Sequence, residues 1–216
     1  MTPRLHGYWR SSATWRVRIA LHWKGVAFEI LPVDLLRDGG EQRAATYLRL
    51  APTALVPSLE IDGLVLSESL AIIDYLETTR PAARLYPASP AHRADALRIA
   101  EVVNAGIQPL QNLRTLQALT ERFGASADDT RAWAGHWIGE GLQAVERLLE
   151  HSSGTHAVGD EVSVADVCLV PQVYNARRFG VDLSGTPRVV AVEAAASALA
   201  PFRASIPEAQ PDAPSA

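Results

Sequence analysis

The sequence changes character once, and that change constrains the fold more than any other feature. Residues 81–90 carry three prolines and no clear periodicity. Before this stretch, short apolar runs alternate with helical repeats. After it, every periodic segment is helical. The expected organisation is an α/β domain over 1–81, a linker over 82–90 and an all-helical domain over 91–216. A chain of 216 residues with 48% hydrophobic and 20% charged residues can bury the cores this needs.

Within the first part, residues 5–9 read as a strand. Ser12 opens an apolar periodic run that Gly25 closes, a hydroxyl start and a glycine stop. Residues 27–33 read as a second strand, and two strands joined by a helix imply a parallel pair with a right-handed crossover. A polar loop with Gly39-Gly40 follows, then a short helix over 42–50. Asp62-Gly63 between two apolar runs marks a hairpin, because both residues suit the positive φ angles of a type I′ turn. Residues 69–79 form an apolar helix that ends before Pro81. The order β-α-β-α-β-β-α is that of a thioredoxin-like domain.

In the helical part, residues 92–119 form one long segment interrupted by Gly106 and Pro109. Residues 128–151 form a second, and 152–159 a loop. Ser163-Val164-Ala165-Asp166 has the hydroxyl-x-x-acid pattern of a capping box, opening a helix to Phe179 that Pro171 would kink. A last helix follows Pro187. The tail from Pro207, with three prolines and small residues, is expected to be poorly ordered.

Several function classes are disfavoured. A net charge of -4 does not suit a phosphate-backbone binder. No apolar run nears the roughly 20 residues of a membrane span, and residues 1–6 have no signal-peptide character. Cys168 is the sole cysteine, which excludes an internal disulfide, suggests a reducing compartment and reads as an inert core thiol. No two histidines stand at i, i+4 on one helix, so no metal site is expected. Glycine-rich phosphate loops and G-x-S-x-G elbows are absent.

The polar residues at the element junctions admit two readings each. Arg10-Ser11-Ser12 lies where a strand ends and a helix begins. The serines either cap the helix or stabilise an anion such as a thiolate, which a helix N-terminus favours. Val56-Pro57 precedes a strand. From spacing alone a trans turn proline is expected, since about 5–6% of X-Pro bonds are cis; a cis bond would leave Val56 free to pair with an extended ligand. Glu68-Ser69 opens a helix, either as a capping pair or as a seat for an α-amino acid head group. Gln108, Gln111 and Asn112 share a face at i, i+3, i+4, solvated or, past a Pro109 kink, turned with Arg114 toward a cleft. Arg177-Arg178 alone reads as surface.

The segment Arg10-Ser11-Ser12-Ala13-Thr14-Trp15-Arg16-Val17-Arg18-Ile19-Ala20-Leu21 resembles the zeta-class glutathione transferases. The resemblance continues through Val56-Pro57, Glu68-Ser69-Leu70-Ala71-Ile72-Ile73, Ala105-Gly106-Ile107-Gln108-Pro109-Leu110-Gln111-Asn112-Leu113, Gly159-Asp160-Glu161-Val162-Ser163-Val164-Ala165-Asp166 and Leu169-Val170-Pro171-Gln172-Val173. It extends to Arg178-Phe179 and Val181-Asp182-Leu183, covering nearly the whole chain in family order. It implies the glutathione transferase architecture, a homodimer of the cytoplasm, glutathione as cofactor and no membrane or nucleic-acid partner. The implied activity is cis–trans isomerisation of a maleyl diketo acid, a small dicarboxylate: maleylacetoacetate or maleylpyruvate.

By the same resemblance Ser11 stands beside the glutathione sulfur, with Ser12 in support and Arg10 near the reacting atoms. Gln42, Val56, Glu68, Ser69, Gln108, Gln111 and Asn112 match glutathione contacts, and the resemblance implies a cis Val56-Pro57 bond with the Val56 backbone paired to the cysteinyl unit of glutathione. Arg10, Arg114 and Arg178 are the candidates for the substrate carboxylates, whose shape the guanidinium fork fits. Ala13 stands where the family usually has cysteine. Two alternatives compete: a general transferase that conjugates electrophiles, and a non-catalytic binding module of the same fold. The first would want an apolar substrate pocket rather than arginines. The second would be favoured by loss of Ser11, which is present.

Overall fold

The computed structural model describes residues 2–214; Met1 and residues 215–216 lie outside. The chain divides into two compact units. One comprises the residues up to Arg84 together with those from Leu199 on; the other is Leu85–Ala198.

The first unit is built on a four-stranded mixed sheet in the order β2-β1-β3-β4. Strand β1 (Arg4–Gly7) runs parallel to β2 (Glu29–Pro32), and helix α1 (Ser12–Trp23) makes the crossover. Helix α1 stops in a Schellman motif. Gly25, at φ 64°, donates to the carbonyl of His22, and Val26 donates to that of Leu21. Strand β3 (Ser58–Ile61) is antiparallel to β1 and to β4 (Leu64–Ser67). Between them Asp62 and Gly63 take φ 53° and 81°, the positive pair of the I′ turn. Helix α2 (Ala45–Leu48) is a single turn, preceded by a 3-10 turn over Glu41–Arg43, where one helix over 42–50 was expected. Helix α3 (Ser69–Thr79) has the expected bounds. Leu5, Val17, Ile19, Leu21, Leu59, Ile72, Ile73 and Leu76 are fully buried and form this unit's core.

Alternation along β1 sets the two faces of the sheet. Gly7 lies so close to Thr14 of α1 that a Cβ there would collide with it. The ring of His6 instead meets the edge of Tyr47 from α2. One face therefore carries α1, the other the 41–51 segment.

The residues from Leu199 on correct the expected boundary. They belong to the first unit rather than the helical one. Phe202, on the short helix α10 (Ala200–Arg203), is buried and meets the ring of Trp23 edge-on. The expectation of a poorly ordered tail is also overturned as far as residue 214: a 3-10 turn spans Pro207–Ala209, and Gln210 is buried with its amide donating to the carbonyls of Ala204 and Ile206. The reason is polar. Arg18 of α1 is buried, and it donates to the carbonyl of Ser205 at 3.2 Å. Burial pulls its pKa down to about 10, and the charge of Asp212 opposes the fall.

The second unit is helical: α4 (Pro90–Glu101), α5 (Gln108–Gln111), α6 (Leu113–Phe123), α7 (Ala127–Ser152), α8 (Val164–Phe179) and α9 (Pro187–Ser197). Helix α8 is its core element, buried from Val164 to Val173, with the Cys168 thiol inside it. The Ser163–Asp166 capping box is present. Pro171 sits inside α8 without ending it, so the helix runs through to Phe179.

The interruption expected at Gly106 and Pro109 takes the form of a π-helical turn, and the helix itself breaks three residues after Pro109, at Asn112. The π-helical turn spans Val102–Ile107 and runs directly into α5, so Pro109, which brings no N–H to bond the preceding turn, follows immediately on the irregular turn that holds Gly106. The chain leaves the helix at Asn112 (ψ 145°), whose side chain accepts from the N–H of Arg114 and so starts α6. Asparagine is among the best N-caps, and here its local bond decides where the helix restarts.

Candidate active site

The sheet register gathers the junction residues of the first unit. His6 pairs with Ser58, and Ser58 with Ser67. The loop after β1, the segment before β3 and the turn after β4 therefore leave the sheet at one end. Strand β2 is parallel to β1, with Gly7 opposite Pro32, so the chain after β2 emerges at the same end. There Tyr8 and Leu35 pack on a cluster of Val33, Tyr47, Ala51 and Val56.

Ser11 is the N-cap of α1. Its Oγ accepts from the N–H of Thr14 at 3.2 Å, and its own N–H donates to Tyr8 O at 3.0 Å. Both sequence readings hold together chemically. A capping serine spends a lone pair on the helix and keeps its O–H free to donate to an anion. Ser12 is the first helical residue and is buried. Arg10 is half-buried, with its guanidinium 5.0 Å from the centre of the Trp9 ring.

The Val56–Pro57 bond is cis, as the resemblance implied and against the expectation from spacing. Strand β1 has ended at Gly7, so Val56 has no strand opposite it. Neither its N–H nor its C=O has a partner among the described residues. The hydroxyl of Tyr47 brackets this segment, donating to Leu55 O at 2.7 Å and lying 3.0 Å from Ser58 Oγ. Burial pushes the Tyr47 phenol up. Sequence reasoning missed Tyr47 because nothing in its local pattern signals that bracket.

Glu68 is the N-cap of α3 at φ 67°, ψ 115°, with its side chain exposed. A non-glycine residue there costs about 1–3 kcal/mol, and such strain concentrates at functional sites. Beside it Ser69 is buried, its Oγ accepting from Arg16 at 3.3 Å. Gln42 is 7% exposed, and its Oε1 is buried without a hydrogen-bond partner. Gly40, at φ 106°, has no room for a Cβ against that amide. The end of the sheet thus offers a hydroxyl donor at a helix N-terminus, an extended backbone edge, an exposed carboxylate and an unsatisfied amide oxygen.

The second unit treats its candidates differently. Gln108 is half-buried. Gln111 is buried and exchanges hydrogen bonds with Gln172 of α8, at 2.9 and 3.4 Å. Because the helix breaks at Asn112, the continuous face expected to hold Gln108, Gln111, Asn112 and Arg114 does not form. Arg114 is exposed on the first turn of α6. Arg178 is exposed, its guanidinium 4.9 Å from the centre of the Phe179 ring, while Arg177 pairs with Glu193 at 2.7 Å.

Among the described residues no helix is long and apolar enough to cross a membrane. Among the same described residues, no three His, Cys, Asp or Glu are grouped to hold a metal.

A thioredoxin-like unit followed by a helical one defines the glutathione transferase class, and residues 10–79 match the profile described as the glutathione S-transferase N-terminal domain. A probable maleylacetoacetate isomerase of Vibrio cholerae is 48% identical over 214 residues, covering 99% of both chains. The solved holo structure of a maleyl pyruvate isomerase, a bacterial zeta-class glutathione S-transferase, is 41% identical. It superposes with a TM-score of 0.94 over 98% of this chain and 100% of that one. A maleylacetoacetate isomerase from Anaeromyxobacter dehalogenans, solved with glutathione in its active site, is 44% identical with a TM-score of 0.88, over 99% and 98% of the two chains. This chain belongs to the zeta-class family of maleylacetoacetate and maleylpyruvate isomerases.

Proposed function

We propose that the protein is a glutathione-dependent cis–trans isomerase of a maleyl diketo acid, acting on maleylacetoacetate or maleylpyruvate. The observation that carries this is the convergence of Ser11, Val56, Glu68 and Gln42 at one end of the sheet. Their unspent hydrogen-bonding capacity fits glutathione. The Val56 backbone suits its extended peptide, the Glu68 carboxylate suits its ammonium, and Gln42 Oε1 takes a donor it otherwise lacks. The names of the relatives support the reaction.

Glutathione, when bound, supplies the thiolate that adds to the double bond conjugated to the ketone and departs again after rotation. Ser11 holds that charge by donating its spare O–H, and the N-terminus of α1 adds a favourable dipole. Ser12 supports it from the first helical position. The maleyl substrate brings carboxylates and develops enolate character, so it wants cations and donors. Arg10, Arg114 and Arg178 are the proposed partners, with Ser69, Gln108, Gln111 and Asn112 the remaining proposed glutathione contacts. The reading includes a cytoplasmic homodimer, which the family resemblance supports.

The test is an isomerisation assay on both maleyl substrates, with and without glutathione, counting free thiol over many turnovers. Turnover that requires glutathione and leaves the thiol count constant supports the reading. Stoichiometric thiol loss identifies a conjugating transferase instead, and no turnover of either substrate rejects the isomerase.

A further inference from the structure

We propose that the segment after α9 is a clamp that positions the catalytic loop, with Asp212 as a positioning residue for Ser11. The proposal rests on the reading of Ser11 given above.

The loop between Gly7 and Ser11 has left the sheet and has not yet entered α1. Tyr8 O is held by the N–H of Ser11, inside the loop. The peptide groups of Trp9 are both held from outside it. Its N–H donates to Asp212 Oδ2 at 2.9 Å. Its C=O accepts from Arg18 Nη2 at 2.9 Å, and Nε of the same guanidinium donates to Ser205 O. One anchor of Trp9 is thus the tail itself, and the other is a buried arginine that the tail fixes.

The tail is in turn braced. Ser205 Oγ donates to Pro201 O at 2.7 Å, and the Gln210 amide holds the carbonyls of Ala204 and Ile206. A segment that served only to cover apolar surface would have no need to reach the backbone of one loop residue. Trp9 stands two residues before Ser11, and its ring also carries the Arg10 guanidinium. Fixing the Trp9 peptide therefore fixes where the Ser11 hydroxyl and Arg10 stand. Misplacing a catalytic group by about 1 Å can cost on the order of 10²-fold in rate.

The experiment compares Asp212→Ala, Asp212→Asn and Ser11→Ala in the full chain. The readouts are turnover, KM for glutathione, the pH titration of bound-thiolate absorbance and the thermal midpoint. Asp212→Ala is expected to lower turnover by roughly 10–100-fold and to raise the pKa of the bound thiol. KM for glutathione and the thermal midpoint should change little. Asp212→Asn, whose side-chain oxygen can still accept from Trp9, should recover most of the turnover. Parent-like turnover and thiol pKa in Asp212→Ala, beside a crippled Ser11→Ala, overturn the clamp alone. So does a loss that merely follows the thermal midpoint and is not rescued by Asp212→Asn. Parent-like turnover in Ser11→Ala overturns the Ser11 reading and the clamp with it.

Discussion

The two units dispose of their buried polar groups in opposite ways. In the second, Asp166 is fully buried yet takes the N–H and hydroxyl of Ser163 and the N–H of Ala157. Glu146 takes the N–H groups of Arg188 and Val189 at the start of α9, together with the Arg188 side chain. Gln111 and Gln172 satisfy each other. In the first unit, the Gln42 amide oxygen, both peptide groups of Val56 and the strained backbone of Glu68 are left at one end of the sheet. An unmade buried hydrogen bond costs roughly 1–3 kcal/mol. Groups satisfied from within therefore stabilise a fold, and groups held open at such a cost mark where something else completes them. Both units have exceptions: Trp137 Nε1, beside the rings of Trp133 and His136, and His156 Nδ1 in the second, and Thr14 Oγ1, Trp23 Nε1 and Asp212 Oδ1 in the first, are buried without a hydrogen bond.

The contrast breaks most visibly at Asp166. Asp166→Ala strands several donors at the start of α8 and should cost about 3–5 kcal/mol, the range for breaking a buried charged arrangement. Denaturant unfolding measures it, and a cost under about 1 kcal/mol would remove Asp166 as the model of an internally satisfied group.

A smaller effect separates the two roles of Gln111. If it is structural, Gln111→Ala should cost about 1–3 kcal/mol by leaving the Gln172 amide unpaired. Replacing both residues with leucine should recover most of that, while glutathione affinity stays near the parent value. Unchanged stability with weakened glutathione binding would return Gln111 to the ligand, as the family resemblance implies.

The smallest effect lies at His156. The Asp166 carboxylate, 3.4 Å from its Nδ1, raises its pKa above 6.5, and burial opposes the rise. A raised histidine pKa contributes stability that is full below the unfolded value of about 6.5 and is lost as pH climbs through the folded value. The stability advantage of the parent over His156→Gln should thus be larger near about pH 5 than near about pH 9. An advantage that does not vary with pH would show that the imidazolium adds nothing.

What the sequence disclosed follows the range of the interactions involved. The I′ turn at Asp62-Gly63, the stop at Gly25 and the Ser163–Asp166 box are local chemistry, and all three stand as read. The break at Asn112 escapes a reading by shared faces, because an asparagine that could sit on a polar face serves instead as a cap. Arg18 with Ser205 and Trp9 with Asp212 join positions nearly the length of the chain apart. No periodicity signals such pairs, so the tail was read by composition alone. Around the site, Ser11 and Glu68 were visible as junction residues. The cis bond at Val56–Pro57 came only through resemblance, since spacing favoured trans.

The central claim is that the first unit holds its open groups for a thiolate-bearing cofactor, with Ser11 at the charge. The most direct measurement is the pH titration of bound glutathione, followed by thiolate absorbance in the parent and in Ser11→Ala, with turnover recorded on the same samples. The account predicts that the parent ionises bound thiol below the pKa of free glutathione. In Ser11→Ala that pKa should rise and turnover should fall by roughly 10²–10³-fold, the loss of one anion-stabilising donor. Folding stability should drop by only about 1 kcal/mol, the value of an N-cap. Equal thiol pKa and equal turnover in the two proteins would contradict it.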